Sequence, residues 1–294
     1  MAIVDRNRRI AVTVTLFLLP GGLLYLALVL NPVVQGFILA MYRWRTLSNT
    51  VFVGFENFVT IFRDRLFWRS MEVSGWYMLW TTILQVVIGF LFGYFLYIQL
   101  KGYRFFKTVF FIPVVMATIA VGAIWGTIYS PTFSAFKPLV EAFGGRYQSP
   151  LAEPSQALWA IIVAHTWHYS GIQIMLFNAG FMNMPQDVIE MASIDGASGL
   201  KMIYHMILPL AWEITKAIII LQVIGSLRAF DLVFVMTGGG PNNATAVLPI
   251  HMFMRAFENF QIGLGSVVAV VIFILSMGLT AGLRKLMGRE ALQY

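Results

Sequence analysis

The feature that most constrains this chain is a series of long apolar segments separated by short polar ones. A helix of about 20 apolar residues has the length needed to cross the hydrocarbon core of a membrane. Six segments qualify, and we predict one membrane-spanning helix in each: 10–40, 73–100, 108–129, 157–182, 211–236 and 260–283. The fold class predicted from this pattern is an all-α integral membrane protein, a bundle of six transmembrane helices.

The composition agrees with a membrane protein. Only 11% of the residues are charged and 59% are hydrophobic, whereas soluble proteins carry about 25% charged residues. The net charge of +7 comes from basic residues scattered singly or in threes, so we expect no binding of nucleic acid. The absence of cysteine excludes disulfides and thiolate metal sites.

The first apolar segment has the look of a signal peptide, because three arginines precede it. However, the run from Ile10 to Leu30 is longer than a signal-peptide core, and no cleavage site of small residues follows it. We therefore expect it to be retained as the first span. Pro20 and the glycines after it are expected to bend this helix.

Lysine and arginine predict the orientation, because they are enriched in cytoplasmic loops. With the N-terminus inside, the cytoplasmic segments hold eleven of them and the outer segments eight, five of which lie in the loop 42–72. That loop contains the amphipathic sequence GFENFVTIFRDRLFW, which we expect at the membrane interface. We predict cytoplasmic termini at 1–9 and 284–294, and a transmembrane domain at 10–283.

The longest predicted cytoplasmic connection, 183–210, contains the stretch DVIEMASIDGASG. Pro185 is suited to start a helix, and Gly196 is suited to end it in the left-handed conformation. Pro209 marks the return to the membrane. The apolar residues after the glycine recur at helical spacing and predict a second, amphipathic helix: Leu200, Ile203, Tyr204 and Ile207. Such a projecting pair of helices is a handle for a partner protein.

The stretch EMASIDGASGLKMIYHMILPL resembles the EAA loop of ABC importer permeases. The positions that match are Glu190, Ala192, Asp195, Gly196, Ala197 and Pro209. Met191 departs from the pattern, since the family usually has a small residue there. The resemblance implies that residues 185–209 form a coupling helix that docks on a cytoplasmic ATPase subunit, in a fold of the type I ABC importer permease.

A second stretch, FDLVFVMTGGGPNNAT at 230–245, resembles the signature of the maltose-type sugar permeases, on the partner that carries GGP. The stretches FFIPVVMATIAVGAIW and HMFMRAFENFQIGLGSVVAV fit the same pattern, so the resemblance covers nearly the whole chain. Two interpretations of the GGP stretch stay open, a solute contact and an ordinary outer turn. It lacks the Lys-Ser/Thr ending of a phosphate-binding loop, so we expect no nucleotide there.

Polar groups inside spans are costly and often line a solute path. Arg228 and Asp231 stand three residues apart in the predicted fifth span, where they either pair with each other or face a sugar. Trp167 in the fourth span either packs at an interface or stacks on a sugar ring. The resemblance favours the sugar contact and implies further path positions at Thr118, Ile172, Ser226 and Ala229.

Two histidines, His165 and His168, lie one turn apart in the fourth span. A metal pair has this spacing, but no carboxylate or cysteine accompanies them in the span. We expect a polar lining or a packed pair, and no metal site. No serine lies in a nucleophile-elbow pattern, so the chain is not expected to be an enzyme.

The resemblance implies one membrane subunit of an ATP-driven importer of a sugar or oligosaccharide, in the cytoplasmic (inner) membrane of a prokaryote. The implied partners are a second permease in a heterodimer, two ATPase subunits that hold ATP and Mg, an extracytoplasmic solute-binding protein, the sugar and membrane lipid. No cofactor is expected on this chain. The alternatives are an importer of glycerol phosphate or another polyol, an ion-coupled transporter that uses Asp231, and a membrane anchor without transport.

Overall fold

The computed structural model describes residues 2–44 and 50–288, with side chains described from residue 13 onward. Arg45 and residues 289–294 of the predicted cytoplasmic tail lie outside the described residues. The helices and strands, in chain order, are α1 (Ala2–Tyr25), α2 (Asn31–Ala40), β1 (Tyr42–Trp44), β2 (Thr50–Phe52), α3 (Glu56–Phe62), α4 (Arg65–Tyr97), α5 (Tyr103–Val115), α6 (Thr118–Ile128), α7 (Lys137–Ala142), α8 (Pro154–Met182), α9 (Gln186–Ile194), α10 (Gly199–Met202), α11 (Leu208–Leu210), α12 (Trp212–Leu227), α13 (Asp231–Thr237), α14 (Leu248–Phe253) and α15 (Ile262–Leu286). Stretches of π-helix occupy Leu26–Leu30, Ile203–Ile207 and Met254–Glu258.

Within the described residues, three helices are long and apolar enough to cross a membrane: Thr13–Ala40, Arg65–Tyr97 and Ile262–Leu286. Two bent pairs of helices would raise the number to five if each pair forms one span. The remaining predicted span lies in α8, which has 29 residues but carries buried polar side chains such as His165 and Gln173. Polar residues are tolerated in a span that is surrounded by protein.

The first span continues through Pro20 as α-helix, and the predicted bend at this residue stays a prediction. The irregular segment is the π-helix Leu26–Leu30, directly before α2 and Pro32. Proline cannot donate to the helical ladder, and a local π turn rearranges the hydrogen bonds around it.

The prediction of one continuous helix is wrong for two of the spans. The span at 108–129 is divided between α5 and α6, which are bent by 100° at the extended residues Met116 and Ala117. The span at 211–236 is divided between α12 and α13, with a break at residues 228–230. Apolar periodicity does not register a break of two or three residues, because the flanking residues stay apolar.

The described chain divides into two compact units, Met1–Arg63 with Met252–Val271 and Asp64–His251 with Ile272–Tyr294. The first unit contains an antiparallel pair of strands in which Tyr42 lies opposite Phe52. The prediction of an all-α chain missed this ribbon. The Asn57 amide donates to the carbonyls of Ala40 and Tyr42, at 2.9 Å each, and so ties the end of α2 to α3.

In the second unit α4 and α8 run parallel. Residues further along α4 contact residues further along α8. Trp80 packs on Trp159 at a ring distance of 5.0 Å, and Gln85 hydrogen bonds His165 at 2.9 Å. Further along, the residues that α4 places against α8 are two glycines in a small-xxx-small arrangement, Gly89 and Gly93. A Cβ at Gly93 would lie 2.7 Å from the Cβ of Phe177, so these glycines set the distance between the helices.

Candidate functional site

The predicted connection 183–210, which we call the knuckle, begins as the sequence predicts. Helix α9 spans Gln186–Ile194 directly after Pro185, and Gly196 has φ +85°. The amide of Ala197 donates to the carbonyl of Ala192 at 2.9 Å, which closes the left-handed turn that ends the helix. The prediction of a helix ended by a glycine turn is confirmed.

The second half of the knuckle differs from the prediction. Helix α10 has only four residues and continues as the π-helix Ile203–Ile207. The extra residue per turn breaks the expected spacing, so Leu200 and Tyr204 are exposed while Met202 and Ile207 are buried. The predicted apolar face therefore does not pack as one face. Pro209 is exposed and lies in α11, before a bend of 69° into α12.

The inner side of the knuckle is part of the hydrophobic core of the second unit. Ala192, Met202 and Met184 of the knuckle pack in one cluster with Phe181 at the end of α8 and with Ile218 of α12. The side chains of Tyr97 and Gln186 are also within hydrogen-bonding distance, at 3.3 Å. The knuckle is therefore held to the spans on both sides and to the end of α4.

The outer side of the knuckle exposes large apolar side chains. Ile194 is 85% exposed and Leu200 is 83% exposed, and Met191 and Tyr204 are exposed as well. Of the residues predicted for coupling, Glu190, Asp195, Gly196 and Pro209 are exposed, Ala197 is half-buried and Ala192 is buried. We call Met191, Ile194, Leu200 and Tyr204 the exposed apolar set of the knuckle.

A separate cavity of about 350 Å³ lies between α8, α12 and the breaks that precede α6 and α13. It brings together five of the residues that the sequence predicts for the solute path: Thr118, Ile172, Arg228, Ala229 and Asp231. The breaks create the site, because Thr118 starts α6 and Asp231 starts α13. The guanidinium and the carboxylate face a common space there.

The other two predicted path residues lie elsewhere. Ser226 is buried and its hydroxyl donates to the carbonyl of Gln222 at 2.7 Å. Trp167 lies in an apolar groove with residues of α4 and α5, and its ring meets Trp125 edge-on at 5.8 Å. Neither residue is among those that line the cavity of Thr118.

The expectation that Arg228 and Asp231 pair as helical neighbours is wrong. Helix α12 ends at Leu227, so the two residues are not on one helix. Neither side chain has a hydrogen bond or ion pair with any residue of 13–44 or 50–288. The arrangement leaves both charged groups available to a solute.

The cavity also holds polar residues that sequence reasoning missed, Tyr169 and the amide pair Gln173 and Gln222. The Gln173 amide donates to the carbonyl oxygen of Gln222 at 2.9 Å, and its own oxygen has no partner among the described residues. The hydroxyls of Tyr169 and Thr118 are 3.1 Å apart. A glutamine within an apolar span was the signal, since such a residue is costly without a partner.

The two histidines of α8 have different partners. His165 hydrogen bonds Gln85 at 2.9 Å and lines the cavity, whereas His168 bonds the carbonyl of Met116 at 3.2 Å. Among the described residues no group of three metal-ligating side chains occurs. The arrangement corresponds to a polar lining by one histidine and a packed second one.

The GGP segment, residues 237–250, is packed inside the second unit over its later part, residues 244–250, whereas Gly238, Asn242 and Asn243 are exposed. Ala246 to Ile250 are almost fully buried, and the Leu248 amide donates to Ser74 of α4 at 2.8 Å. The Thr245 hydroxyl donates to the carbonyl of Gly240 at 2.7 Å. Four residues of the signature have positive φ: Gly238, Gly239, Asn242 and Asn243. Glycine and asparagine tolerate this conformation best, so the signature encodes a backbone path.

Comparison with known proteins places this arrangement in a family. The profile of the binding-protein-dependent transport system inner membrane component matches residues 85–289. The trehalose/maltose transport system permease protein MalF of Thermococcus litoralis is 29% identical over 266 residues, 90% of this chain and 90% of the relative. The sn-glycerol-3-phosphate transport system permease protein UgpA of Rhizobium meliloti is 26% identical over 231 residues, 78% of each chain.

The fold is also that of a solved transporter. A chain of the crystal structure of a bacterial alginate ABC transporter in complex with an alginate pentasaccharide-bound periplasmic protein superposes with a TM-score of 0.82 at 16% identity, over 96% of each chain. At this identity the likeness concerns the fold alone. Since the family profile spans more than half of the sequence, this chain belongs to the inner membrane components of binding-protein-dependent transport systems, which are ABC permeases and not enzymes.

Proposed function

We propose that this chain is the membrane-spanning subunit of an ATP-driven importer that carries a sugar or oligosaccharide across the cytoplasmic membrane of a prokaryote. The observation that carries the proposal is the two-sided knuckle, which is anchored to α8 and α12 inside and exposes apolar side chains outside. An exposed apolar set on a rigid element is typical of a surface that binds another protein.

The occupant of that surface is a cytoplasmic ATPase subunit. Ile194 and Leu200 flank the glycine turn and would insert as apolar anchors, with Glu190 and Asp195 at the edge for polar contacts. Residues 185–209 then act as the coupling element. Two ATPase subunits, one for each permease of a heterodimer, hold ATP and Mg, so this chain needs no cofactor of its own.

The knuckle has a direct mechanical connection to the cavity. Helix α8 precedes the knuckle in the chain and helix α12 follows it. The same two helices supply Ile172, Gln173 and Gln222 to the cavity wall. A displacement of the knuckle by closing ATPase subunits therefore moves two walls of the cavity. The solute must bind differently in the two states, and ATP supplies that bias.

The chemistry of the cavity fits a neutral, hydroxyl-rich solute. Among the residues that line it are hydroxyl, amide, guanidinium and carboxylate groups, on Thr118, Tyr169, Gln173, Arg228 and Asp231. Such a set can donate to and accept from neighbouring sugar hydroxyls. Trp167 is outside this cavity, so its predicted contact with the sugar stays a prediction that a different state of the transporter would have to provide.

The topology we propose has six spans and cytoplasmic termini, with α8 as the fourth span. The knuckle then lies in the cytoplasm, and the solute arrives from an extracytoplasmic binding protein on the other side. Support comes from the lysines and arginines at 101–107, 201 and 284–285, which lie on the cytoplasmic side in this topology. The family to which the chain belongs is named for its dependence on a binding protein.

The test compares two prolines in equivalent glycine turns. Gly196 has φ +85° and Gly144 has φ +76°, each with open space around its Cα, but only Gly196 is in the knuckle. Proline requires a φ near −65°, so Gly196→Pro distorts the knuckle while Gly144→Pro distorts the loop after α7. The tagged chain is purified with its neighbours, and bound ATPase and ATP hydrolysis are measured.

We expect the wild type and Gly144→Pro to retain an ATPase and a second permease, and Gly196→Pro to lose the ATPase or its stimulation. If the chain purifies alone, or if both prolines behave alike, the knuckle is a mere connector and the proposal fails.

A second solute class, a polyol phosphate, is favoured by one observation. Arg228 lines the cavity and has no carboxylate partner among the described residues, so it could bind a phosphate in two parallel hydrogen bonds. Uptake of an anion would then be abolished in Arg228→Ala. Unchanged transport affinity in that variant would exclude the phosphate and leave the neutral sugar.

An ion-coupled transporter is the weaker alternative. It requires a carboxylate buried at mid-membrane, and no acidic side chain in 13–44 or 50–288 is buried. Asp231, the candidate, is exposed at the start of α13.

A further inference from the structure

A second concave surface lies at the other end of the pair of parallel helices α4 and α8, away from the knuckle. It is a groove of about 430 Å³ between the N-terminal parts of the two helices. The residues that matter for its chemistry are Arg69, Glu72, Trp76 and Trp80 of α4 and Leu158 and Trp159 of α8. None of them lines the solute cavity, and the groove has no part in the transport mechanism above.

The groove changes in polarity along its length. The α4 residues recur at i, i+3, i+7 and i+11 and so form one stripe along the helix. The stripe begins with the charged pair Arg69 and Glu72 near the helix start and continues with the indoles of Trp76 and Trp80. On α8 the polar Ser155 comes first, and Leu158 and Ile162 follow. One end of the groove is therefore charged and the other is apolar.

The tryptophans form an aromatic wall that is accessible from outside. The rings of Trp80 and Trp159 are 5.0 Å apart. Trp159 is still 46% exposed and Trp76 is 50% exposed, although each has a large apolar surface. Tryptophan is enriched where a membrane meets water, and its face attracts an ammonium group.

The charged end offers one group of each sign. Arg69 and Glu72 form an ion pair at 2.8 Å, and both side chains are about half exposed. Such an exposed pair contributes little to the stability of the fold, so Arg69 and Glu72 can separate and bind a ligand at little cost in stability. A guanidinium binds phosphate in two parallel hydrogen bonds, and the carboxylate together with the indoles can bind an ammonium group.

We propose that this groove binds a membrane phospholipid with an ammonium headgroup, of the phosphatidylethanolamine type. The phosphate contacts Arg69, the ammonium lies between Glu72 and the indole of Trp76, and the start of an acyl chain lies along Trp159, Leu158 and Ile162. The change from charged to apolar along the groove is what selects a lipid over a sugar. A sugar presents hydroxyls around its ring, and the apolar end of the groove offers only the indole N–H groups of its tryptophans as polar side-chain partners among the described lining residues.

The experiment uses native mass spectrometry on the full chain, purified with its partners in mild detergent and stripped of lipid. The complex is offered equal amounts of dioleoyl phosphatidylethanolamine and dioleoyl phosphatidylglycerol, which share acyl chains and phosphate and differ in the ammonium. We expect the wild type to retain the ethanolamine lipid about fivefold more than the glycerol lipid. This ratio corresponds to the contribution of an ammonium that contacts both an indole face and a carboxylate.

Two variants and a matched control locate the site. Trp76→Leu removes the indole against which the ammonium lies, and the double change Arg69→Glu with Glu72→Arg keeps the ion pair but reverses its direction along the groove. Both should bring the headgroup preference down to about onefold. The control is Trp68→Leu, which changes another exposed tryptophan of α4 outside the groove and should keep the preference.

Three results would overturn the proposal. The first is a wild type without preference between the two lipids, a result that does not depend on the folding of any variant. The second is an unchanged preference in both variants. The third is displacement of the ethanolamine lipid by maltotriose, which would make the groove a sugar site. ATPase binding and solute uptake, which test the proposed function, are read separately in the same preparations.

Discussion

The knuckle and the GGP segment both contain a glycine that needs the left-handed backbone, and the difference between their surroundings separates their roles. Gly196 has φ +85° and Gly239 has φ +95°. A Cβ on Gly196 would meet no atom within 4 Å, whereas a Cβ on Gly239 would lie 3.0 Å from a methyl of Ile250 and 3.3 Å from the Cβ of Ala246. One turn is at a surface and the other is in a core.

The side chains around the two turns also differ in burial, exposed around the first turn and buried around the second. Ile194 and Leu200 beside Gly196 are exposed, while Thr245 and Leu248 after Gly239 are fully buried. A glycine motif can therefore have either of two structural roles, which the sequence of the motif alone does not distinguish. In the knuckle the glycine turn leaves apolar side chains exposed, on the surface that we propose for the ATPase, and in the GGP segment glycine lets the backbone pass through a packed interior.

The largest effect is expected from a charge at the outer side of the knuckle. Ile194→Asp places a carboxylate where the ATPase would bury an isoleucine, and we expect a loss of ATPase binding of about tenfold or more. The apparent unfolding temperature should not change, because Ile194 is 85% exposed. Binding is measured by titration of the purified ATPase onto the permease pair.

The control for this change is Phe143→Asp, at a position that is 86% exposed and lies outside the knuckle. It should keep ATPase binding at the wild-type value. Equal losses in the two variants would show that the exposed apolar set has no special role.

The next effect concerns the two glycines themselves. Gly239→Ala combines left-handed strain with crowding against Ile250 and Ala246, and we expect it to lower the free energy of unfolding by about 3 kcal/mol. Gly196→Ala has the strain alone and should lower it by about 1 kcal/mol. The comparison is made by denaturant unfolding in detergent, followed by tryptophan fluorescence. Similar values would contradict the distinction between surface and core.

The sequence was sufficient to predict features that depend on the local backbone conformation of a residue or on the length of an apolar segment. Pro185 and Gly196 predicted the limits of α9, and the apolar runs predicted α4, α8 and α15 to within eight residues at each end. The matched motifs predicted the family, which the profile over residues 85–289 confirms. These features depend on local propensity and on length, both of which can be read from a single sequence.

The sequence was not sufficient where the result depends on a partner distant in the chain. The break at residues 228–230 decides that Arg228 and Asp231 face the cavity rather than each other. The polar surroundings of Gln173 depend on Gln222, 49 residues later. The π-helix Ile203–Ile207 changes which side chains of the knuckle are buried. Tertiary packing determines all three, and apolar periodicity contains no information about it.

A smaller effect is expected at the inner side of the knuckle, where the comparison can be sharpened with two methionines. Met202 is buried in the core cluster, and Met191 is exposed. We expect Met202→Ala to lower the free energy of unfolding by about 2 kcal/mol through the cavity it leaves. Met191→Ala should change it by no more than about 0.5 kcal/mol but should weaken ATPase binding. The reverse pattern would mean that the inner and outer sides of the knuckle are assigned wrongly.

The smallest effect is expected from one hydroxyl in the GGP segment. The Thr245 hydroxyl donates to the carbonyl of Gly240 and lies 2.7 Å from the hydroxyl of Thr237, in a fully buried position. Thr245→Val keeps the shape and leaves both partners short of a hydrogen bond, which should cost about 1 to 2 kcal/mol. Thr127→Val is the control, because that hydroxyl bonds the carbonyl of Ala123 at an exposed site and its loss should cost about 0.5 kcal/mol or less. If Thr245→Val were as stable as wild type and instead altered sugar uptake, the GGP segment would contact solute, and the interpretation of its signature as a backbone path would have to be given up.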